Sequence, residues 1–220
     1  MFARTALLAA LALGLIAPGF AAGDPPADLA KAFADAERLE FAPLALDKLA
    51  AEDAIADKIT GIPHRIAVGH DIAIEAKSSG SWRQDDKNRW TWELSVDAAD
   101  AAHLSFGFDR FNLPEGAALN IYAADGSDRL GPYTAADRLE HGQLWTPVLM
   151  ADKALVQVTL PAGAKPELDL SLQRVAHGYR GFGVKSKACK SGSCNTDVAC
   201  LSSGDAWNQP RRSAGAIVVG

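Results

Sequence analysis

Three cysteines near the end of the chain are the residues whose type and spacing could do chemistry. Cys189, Cys194 and Cys200 are the only cysteines of the 220-residue sequence and fall within twelve positions. Cysteines at such spacing serve as disulfide partners, catalytic thiols or zinc ligands. A zinc site would need a fourth ligand, and the nearest histidine, His177, precedes a glycine-rich stretch. In an oxidising compartment disulfides are favoured, and an odd number leaves one thiol free or a partner missing.

The other polar residues form no recognisable catalytic constellation. Asp85 and Asp86 lie at a predicted turn, where paired acids are usually solvated, and the spacing of Glu93 from them supplies no glycosidase pair. Trp90 and Trp92 lie on the same face of one predicted strand, which favours core packing over a sugar-stacking platform. Trp82 and Trp145 are the other candidates for such a platform. His103, His141 and His177 are scattered between the motifs, and we interpret them as surface or core hydrogen-bonding residues rather than ligands or bases. We therefore predict no catalytic residue, cofactor site or metal site in this chain.

The first residues have the three-part layout of a secretory signal peptide. Arg4 supplies a positive charge, residues 5–17 are an almost unbroken run of alanine and leucine, and Pro18 breaks the run. Small residues at Gly19 and Ala21 predict cleavage after Ala21. The run is shorter than the roughly 20 residues of a membrane-spanning helix, which disfavours an anchor. We expect export to the periplasm and secretion, with no stable membrane insertion after the leader is removed.

The charge balance narrows the possible partners. Lysine and arginine number 22 against 27 aspartate and glutamate residues, a net charge of −5, and no basic block is interleaved with aromatic residues. Nucleic acid is therefore not an expected partner, because phosphate backbones are bound by clustered basic side chains.

Two amphipathic helices are predicted after the leader. In residues 28–39 apolar side chains recur every three or four positions, and Asp28 can cap the helix. A second helix is expected over residues 43–58. Its inward-facing residues are predicted to be Leu46, Leu49, Ala50 and Ile55. The polar faces carry charges of both signs, which indicates packing against the protein rather than membrane binding.

From about residue 65 to residue 176 the pattern changes to short alternating apolar runs separated by turn residues. Such runs without helical periodicity indicate antiparallel strands. The runs are 66–68, 72–74, 90–96, 104–108, 119–122, 144–148, 154–160 and 168–175. Among the turns between them are Gly131-Pro132 and Asp125-Gly126, the clearest hairpin signal. The chain is therefore predicted to be mainly β, with N-terminal helices followed by an antiparallel, jelly-roll-like β-sandwich.

A glycine- and lysine-bearing segment follows the last predicted strand. Residues 177–183 contain three glycines, and residues 184–190 are small and basic without an apolar periodicity. This composition is typical of an exposed linker, where proteases cut. Lys187 and Lys190 are the candidate cleavage sites.

The last residues indicate the beginning of a further domain. Residues 214–220 are an apolar run without a polar side chain, and we interpret residues 217–220 as a strand. An activating new N-terminus at Ile217 is disfavoured, because a cut after Arg212 would not expose it. We expect the chemistry of the larger protein to lie beyond residue 220.

Several separated segments resemble a known family. Residues 108–122, 130–136, 141–147 and 177–183 look like the pro-region of secreted bacterial trypsin-like serine proteases of the lysyl endopeptidase type. Residues 191–200 resemble the start of the mature catalytic domain of these proteases. The resemblance runs in the same order from about residue 79 to residue 220.

The patterns and the resemblance together predict five consecutive parts. They are a signal peptide at 1–21, a helical pro-segment at 22–62, a β-sandwich pro-domain at 63–178, a linker with the cleavage site at 179–190, and the truncated start of a chymotrypsin-like double β-barrel at 191–220. Cys194 and Cys200 match family cysteines that bridge to cysteines further along, whereas Cys189 has no counterpart.

The resemblance also implies a function. The downstream domain would carry a Ser-His-Asp triad and cut proteins after lysine or another basic residue. Neither the family's histidine motif nor its nucleophile loop occurs here, so no triad residue is assigned and the chain alone is expected to be inactive. The implied pro-domain would assist folding of its own downstream protease domain, inhibit it until cleavage, or do both. The alternative is a secreted, non-catalytic β-sandwich module that binds carbohydrate or a cell surface.

Overall fold

The computed structural model describes residues 25–60 and 63–181. These residues form two α-helices, ten strands and two 3-10 turns, Ala135–Asp137 and Lys165–Glu167. The helices are α1 (Leu29–Asp35) and α2 (Leu46–Ala56). The strands are β1 (Glu37–Phe41), β2 (Ala67–Glu75), β3 (Ser81–Gln84), β4 (Trp90–Ala98), β5 (His103–Asn112), β6 (Ala118–Ala123), β7 (Arg129–Tyr133), β8 (Leu144–Trp145), β9 (Lys153–Leu160) and β10 (Asp169–Gly178).

The strands form two sheets. The first has the order β1-β4-β9-β6-β7, with β3 also paired to β4, and the second has the order β2-β10-β5-β8. Neighbouring strands are antiparallel except β1 and β4, which run parallel. The prediction of a mainly β chain with short helices is confirmed, although the first sheet is mixed. The jelly-roll arrangement stays a prediction, and the predicted barrel strand at 217–220 lies outside the described residues.

One hydrophobic core is shared by the two sheets. Alternate residues of β4, such as Trp92 and Leu94, and of β5, such as Phe106 and Phe108, are almost fully buried in a single cluster. This period of two follows from strands that place one face on a core. Trp92 is 1% exposed and its indole N–H donates to the Ser79 carbonyl at 2.7 Å, which confirms its interpretation as a core residue.

Two turn-like stretches of the sequence lie within strands. The run 72–74 and all but the first residue of the run 66–68 belong to one strand, β2, because β10 pairs along its length. Gly131-Pro132 was expected to be a turn but lies inside β7. Because β7 is at the edge of its sheet, a residue without an N–H can be tolerated there. The predicted hairpin at Asp125-Gly126 is confirmed, since Gly126 has φ +75° between β6 and β7.

The first helix is shorter than the periodicity of residues 28–39 predicts. Asp28 caps α1 as expected, its carboxylate accepting from the Lys31 N–H at 2.8 Å. The helix ends at Asp35, and the next residues form β1, which pairs residue by residue with Leu94–Ala98 of β4. Ladder hydrogen bonds to a distant strand therefore override the local helical pattern. Phe33 of α1 packs on Leu155, on the outer face of the first sheet.

The predicted inward face of α2 is wrong for three of its four residues. Leu49 is buried, but Leu46 is 50% exposed, Ile55 is 70% exposed and Ala50 is exposed as well. The other buried residue of α2 is a carboxylate, Asp53, one turn after Leu49. A polar contact rather than a broad apolar stripe therefore sets the orientation of this helix.

Candidate functional site

Every residue that the sequence assigns to a cleavage or disulfide site lies outside the described residues. These residues are Ala21, Lys187, Lys190, Cys194 and Cys200. Their roles stay predictions, as do the boundaries of the five predicted parts. The structure does describe the three residues after the last strand, because β10 ends at Gly178 and the description continues to Gly181, and we call this end of the described residues the exit.

A group of charged side chains surrounds this exit, and we call it the exit cluster. It joins three parts of the chain: α2 with the turn after it, the residues just before β2, and the residues just after β10. Its members are Glu52, Asp53, Asp57, His64, Arg65, Tyr179 and Arg180.

Asp53 is the buried centre of the exit cluster. Its residue is 4% exposed, and its carboxylate accepts from the Tyr179 hydroxyl at 2.6 Å and from Arg65 Nε at 3.0 Å. Arg180 Nε lies 3.5 Å from the same carboxylate. Burying a carboxylate is costly unless donors surround it, and here an arginine and a hydroxyl hydrogen-bond to it. Burial, and then the bond to Asp53, raise the pKa of Tyr179, so the hydroxyl keeps its proton.

Asp57 binds Arg180 on the other side of the exit cluster. Both terminal nitrogens of Arg180 donate to its two carboxylate oxygens, at 2.8 and 2.9 Å, in a bidentate pair. His64 Nδ1 lies 2.8 Å from one of these oxygens. The hydrogen bond from Arg180, followed by that of His64, holds the pKa of Asp57 well below its ordinary value. Asp57 is therefore ionised throughout the neutral and mildly acidic range.

Arg65 ties the start of β2 to the same group. Its guanidinium donates to Glu52 at 2.9 Å and to the Tyr179 hydroxyl at 3.1 Å, and its backbone carbonyl accepts from Arg180 Nε. The hydrogen bond to Glu52 is the largest cause that raises the pKa of Arg65. A backbone bond from the Tyr179 N–H to the Ile66 carbonyl, at 3.0 Å, extends the pairing of β10 with β2 by one step. The exit is thus fixed by backbone and side chains together.

Sequence reasoning did not find the exit cluster. It recognised residues 177–183 as a family-like segment but assigned no contact to Tyr179 or Arg180. The one available signal was Asp53, a carboxylate four positions after Leu49 on the helix face that Leu49 buries. Two of its partners, Tyr179 and Arg180, are more than 100 residues away in the chain, so no local pattern could identify them; the third, Arg65, is twelve positions away.

The acidic residues considered from the sequence have structural partners. Asp85 is a turn former as expected, since it accepts from the backbone N–H groups of Lys87 and Arg89, each at 2.9 Å. Glu93 is different: it is 1% exposed and bonded to Arg83 at 2.5 Å and to Gln157 at 2.8 Å. An arginine and an amide, rather than a second acid, therefore face this carboxylate.

The histidines divide into buried and exposed ones. His103 and His177 are each 1% exposed, whereas His141 is exposed and its Nδ1 accepts from the Gln143 N–H at 3.1 Å. Within residues 25–60 and 63–181, no three or more histidine, cysteine, aspartate or glutamate side chains are grouped so as to hold a metal ion. In the same ranges, no helix has the length and apolar character needed to cross a membrane.

The described residues form a mainly β domain, and the exit cluster holds Tyr179 and Arg180 against α2, the turn after it and the residues before β2. A family model described as the lysyl endopeptidase N-terminal domain matches residues 40–179, which is 140 of the 220 residues. The chain therefore belongs to the lysyl endopeptidase N-terminal domain family and contains the N-terminal region of a protease precursor. The match begins in β1 and ends at Tyr179, inside the exit cluster. No solved structure matches the chain.

Proposed function

We propose that residues 22 to about 190 are the pro-domain of a secreted, trypsin-like serine endopeptidase precursor. The pro-domain assists folding of the downstream protease domain, inhibits it until cleavage, or does both. Cleavage after Lys187 or Lys190 separates the two, and the mature enzyme cuts proteins after lysine or another basic residue. The precursor is exported through the periplasm. The family match supports the placement in a protease precursor.

The exit cluster is the observation that carries this proposal. It holds Tyr179 and Arg180 against α2 and β2, so the downstream chain departs from a fixed point on the domain. Gly181 and Ser191 are ten residues apart, and a chain of that length spans at most about 35 Å. A domain starting at Ser191 would therefore remain beside the pro-domain at an effective concentration on the order of millimolar.

Such proximity has a physical use for a double-barrel protease. Its strands pair mainly with distant parts of the chain, and non-local pairing makes folding slow. A tethered, already folded domain can bind a late intermediate or the finished active site, and cutting the linker removes the high effective concentration that favours either contact. Assisted folding and inhibition of the protease domain would thus both follow from its covalent link to the pro-domain.

The test uses the whole precursor gene. The precursor is expressed with and without residues 22–190, and active enzyme is measured with a lysine-containing peptide substrate. A large loss of active enzyme without the region is expected, and equal yields would remove the folding role. Adding the separately expressed region to the mature enzyme then tests inhibition, and unchanged hydrolysis would remove that role.

Two further measurements sharpen the assignment. An Asp53→Asn precursor should give less active enzyme than an Asp86→Asn precursor, because Asp53 is buried in the exit cluster whereas Asp86 is exposed in a turn. Mass spectrometry of the mature N-terminus should find Ala188 or Ser191, the residues that follow the two candidate lysines. A mature start before Tyr179 would contradict the proposed boundary.

A further inference from the structure

Two histidines face each other at the end of the second sheet from which the chain exits. His70 lies on β2 and His177 on β10, and their ring centroids are 5.6 Å apart. His177 is 1% exposed, and His70 is partly buried beneath the ring of Phe41, stacked at 4.3 Å. Nε2 of His70 and Nδ1 of His177 are both buried, and neither has a hydrogen-bond partner among the described residues. Two imidazoles in this arrangement fit only if both are uncharged.

A third histidine connects this pair to the exit. His103 on β5 is 1% exposed, and its Nε2 lies 3.4 Å from the carbonyl oxygen of Arg180. Its ring occupies the space above Gly178, where an added Cβ would lie 2.2 Å from the imidazole. His103 therefore packs directly on the residues that carry the chain out of the domain.

Few charged groups face the three rings. From β1 the neighbour is the uncharged Phe41. From the segment after β4 the neighbours are the Ala99 backbone, which is hydrogen-bonded to His177, and Asp100, and both raise the pKa of His177. After β10 it is Arg180, which presents its carbonyl to His103 and its guanidinium to Asp57. Burial is the largest cause that lowers the pKa of His70, His103 and His177, and the neighbouring His70 lowers that of His177 further.

We propose that His70 and His177, packed beside His103, form a pH-sensitive device that loosens the exit of the domain when its surroundings become acidic. The inference rests on the proposed function, since the end of the domain that loosens is the one that precedes the proposed linker to Lys187 and Lys190. Protonation would place charges 5.6 Å apart with no carboxylate bonded to either ring of the His70–His177 pair. Separation of the paired ends of β2 and β10 would let water reach both rings.

The direction of the effect follows from linkage. A histidine that stays neutral in the closed domain but titrates near its ordinary pKa of about 6.5 in the open state favours opening as the pH falls below that value. Each such histidine favours opening by about tenfold at pH 5.5, so the pair gives a factor of about 10². This shift of the opening equilibrium is absent at pH 7.5, because the histidines are then neutral in both the closed and the open state.

The ion pairs of Asp57 and Arg65 in the exit cluster do not cause opening at low pH themselves. Hydrogen bonds from Arg180 and His64 lower the pKa of Asp57, and hydrogen bonds to Glu52 and Tyr179 raise that of Arg65. Both groups therefore keep their charges between pH 5 and 8. Separation of β2 from β10 would nevertheless break the charged contacts of Asp57 and Arg65, because these contacts lie next to the paired strand ends. There Val68 pairs with His177, and the Ile66 carbonyl accepts from the Tyr179 N–H.

The test measures amide hydrogen exchange on the full 220-residue chain at pH 7.5 and 5.5, expressed as protection factors. Protection in residues 67–70 and 174–179 should fall about 10²-fold at the lower pH, while β9 in the first sheet should change far less. A His70→Phe, His177→Leu double variant should lose most of the response. His141→Gln, a change at an exposed histidine, should keep it. Equal protection at both pH values would overturn the proposal.

A second measurement does not depend on a variant that folds. In NMR titrations of the unchanged chain, the ring protons of His70 and His177 should show no titration near pH 6.5, because burial lowers the pKa of both rings. Ordinary titration of the buried pair would overturn the proposal. No protease is present in these experiments, so their failure would leave the precursor results standing. Equal enzyme yields with and without the pro-domain would instead refute its folding role, whatever the exchange data show.

Discussion

Replacing Asp53 with asparagine tests the exit cluster at its buried centre. The carboxylate accepts from the Tyr179 hydroxyl at 2.6 Å and from Arg65 Nε at 3.0 Å, with Arg180 at 3.5 Å. Asparagine keeps the shape but removes the charge and replaces one acceptor oxygen with a donor. At least one of the three donors would then face an N–H group instead of an oxygen.

The size of the loss follows from burial. Breaking a buried ion pair costs about 3–5 kcal/mol, and a hydrogen bond to a charged group contributes about 1.5–3 kcal/mol. The side chain of Asp53 is 5% exposed, but that of Arg65 is 38% exposed and keeps Glu52 as a partner. Solvent and the second carboxylate offset part of the loss, so we expect the free energy of unfolding to fall by about 2 kcal/mol.

Urea denaturation of the full chain at pH 7.5, followed by tryptophan fluorescence, measures this change. Glu52→Gln is the matched control, because Glu52 pairs with the same arginine but is 46% exposed. Its effect should be clearly smaller, since exposed ion pairs contribute little. Equal effects of the two substitutions, or a loss below about 0.5 kcal/mol for Asp53→Asn, would refute the assignment of Asp53 as the buried anchor.

Two other substitutions probe the same end of the domain. Gly178→Ala should destabilise the domain by about 1–3 kcal/mol, because the new Cβ would overlap the His103 ring. Gly69→Ala should cost less, because its Cβ meets a flexible arginine side chain at 3.3 Å. Equal urea midpoints of the two variants would contradict this prediction. Asp57→Asn should lower stability by a constant amount above about pH 5, and the difference from wild type should shrink below about pH 4. The reason is that Arg180 lowers the pKa of Asp57 in the folded state, and urea midpoints at pH 7, 4 and 2 would show the trend.

Much of the strand pattern could be predicted from the sequence. The alternation at 90–96 lies within β4, and the run 154–160 lies within β9, because each strand places one face on the shared core. The hairpin at Asp125-Gly126 was predictable for a local reason, since a tight turn needs a residue that tolerates positive φ. In both cases the physical cause lies within a few residues of the pattern.

Long-range pairing was not predictable in this way. Residues 37–39 continue a helical periodicity, yet they belong to β1 because the edge of β4 is available to them. Ile55 has the spacing of an inward residue, yet it is 70% exposed because Asp53 sets the face that α2 turns inward. Local propensity is worth only fractions of a kcal/mol per residue, so a ladder or a buried ion pair outweighs it.

The sequence by itself determined the class of this protein: a mainly β body, and the segments that resemble lysyl endopeptidase pro-regions. These depend on side-chain alternation and on residue order, which are properties of the chain alone. Only the tertiary structure decided that Asp53 meets Tyr179, and that His70 meets His177, 107 positions later in the chain. Such contacts depend on how β2, β10 and α2 are brought together, and the burial that results lowers the pKa of His70 and His177 and raises that of Tyr179.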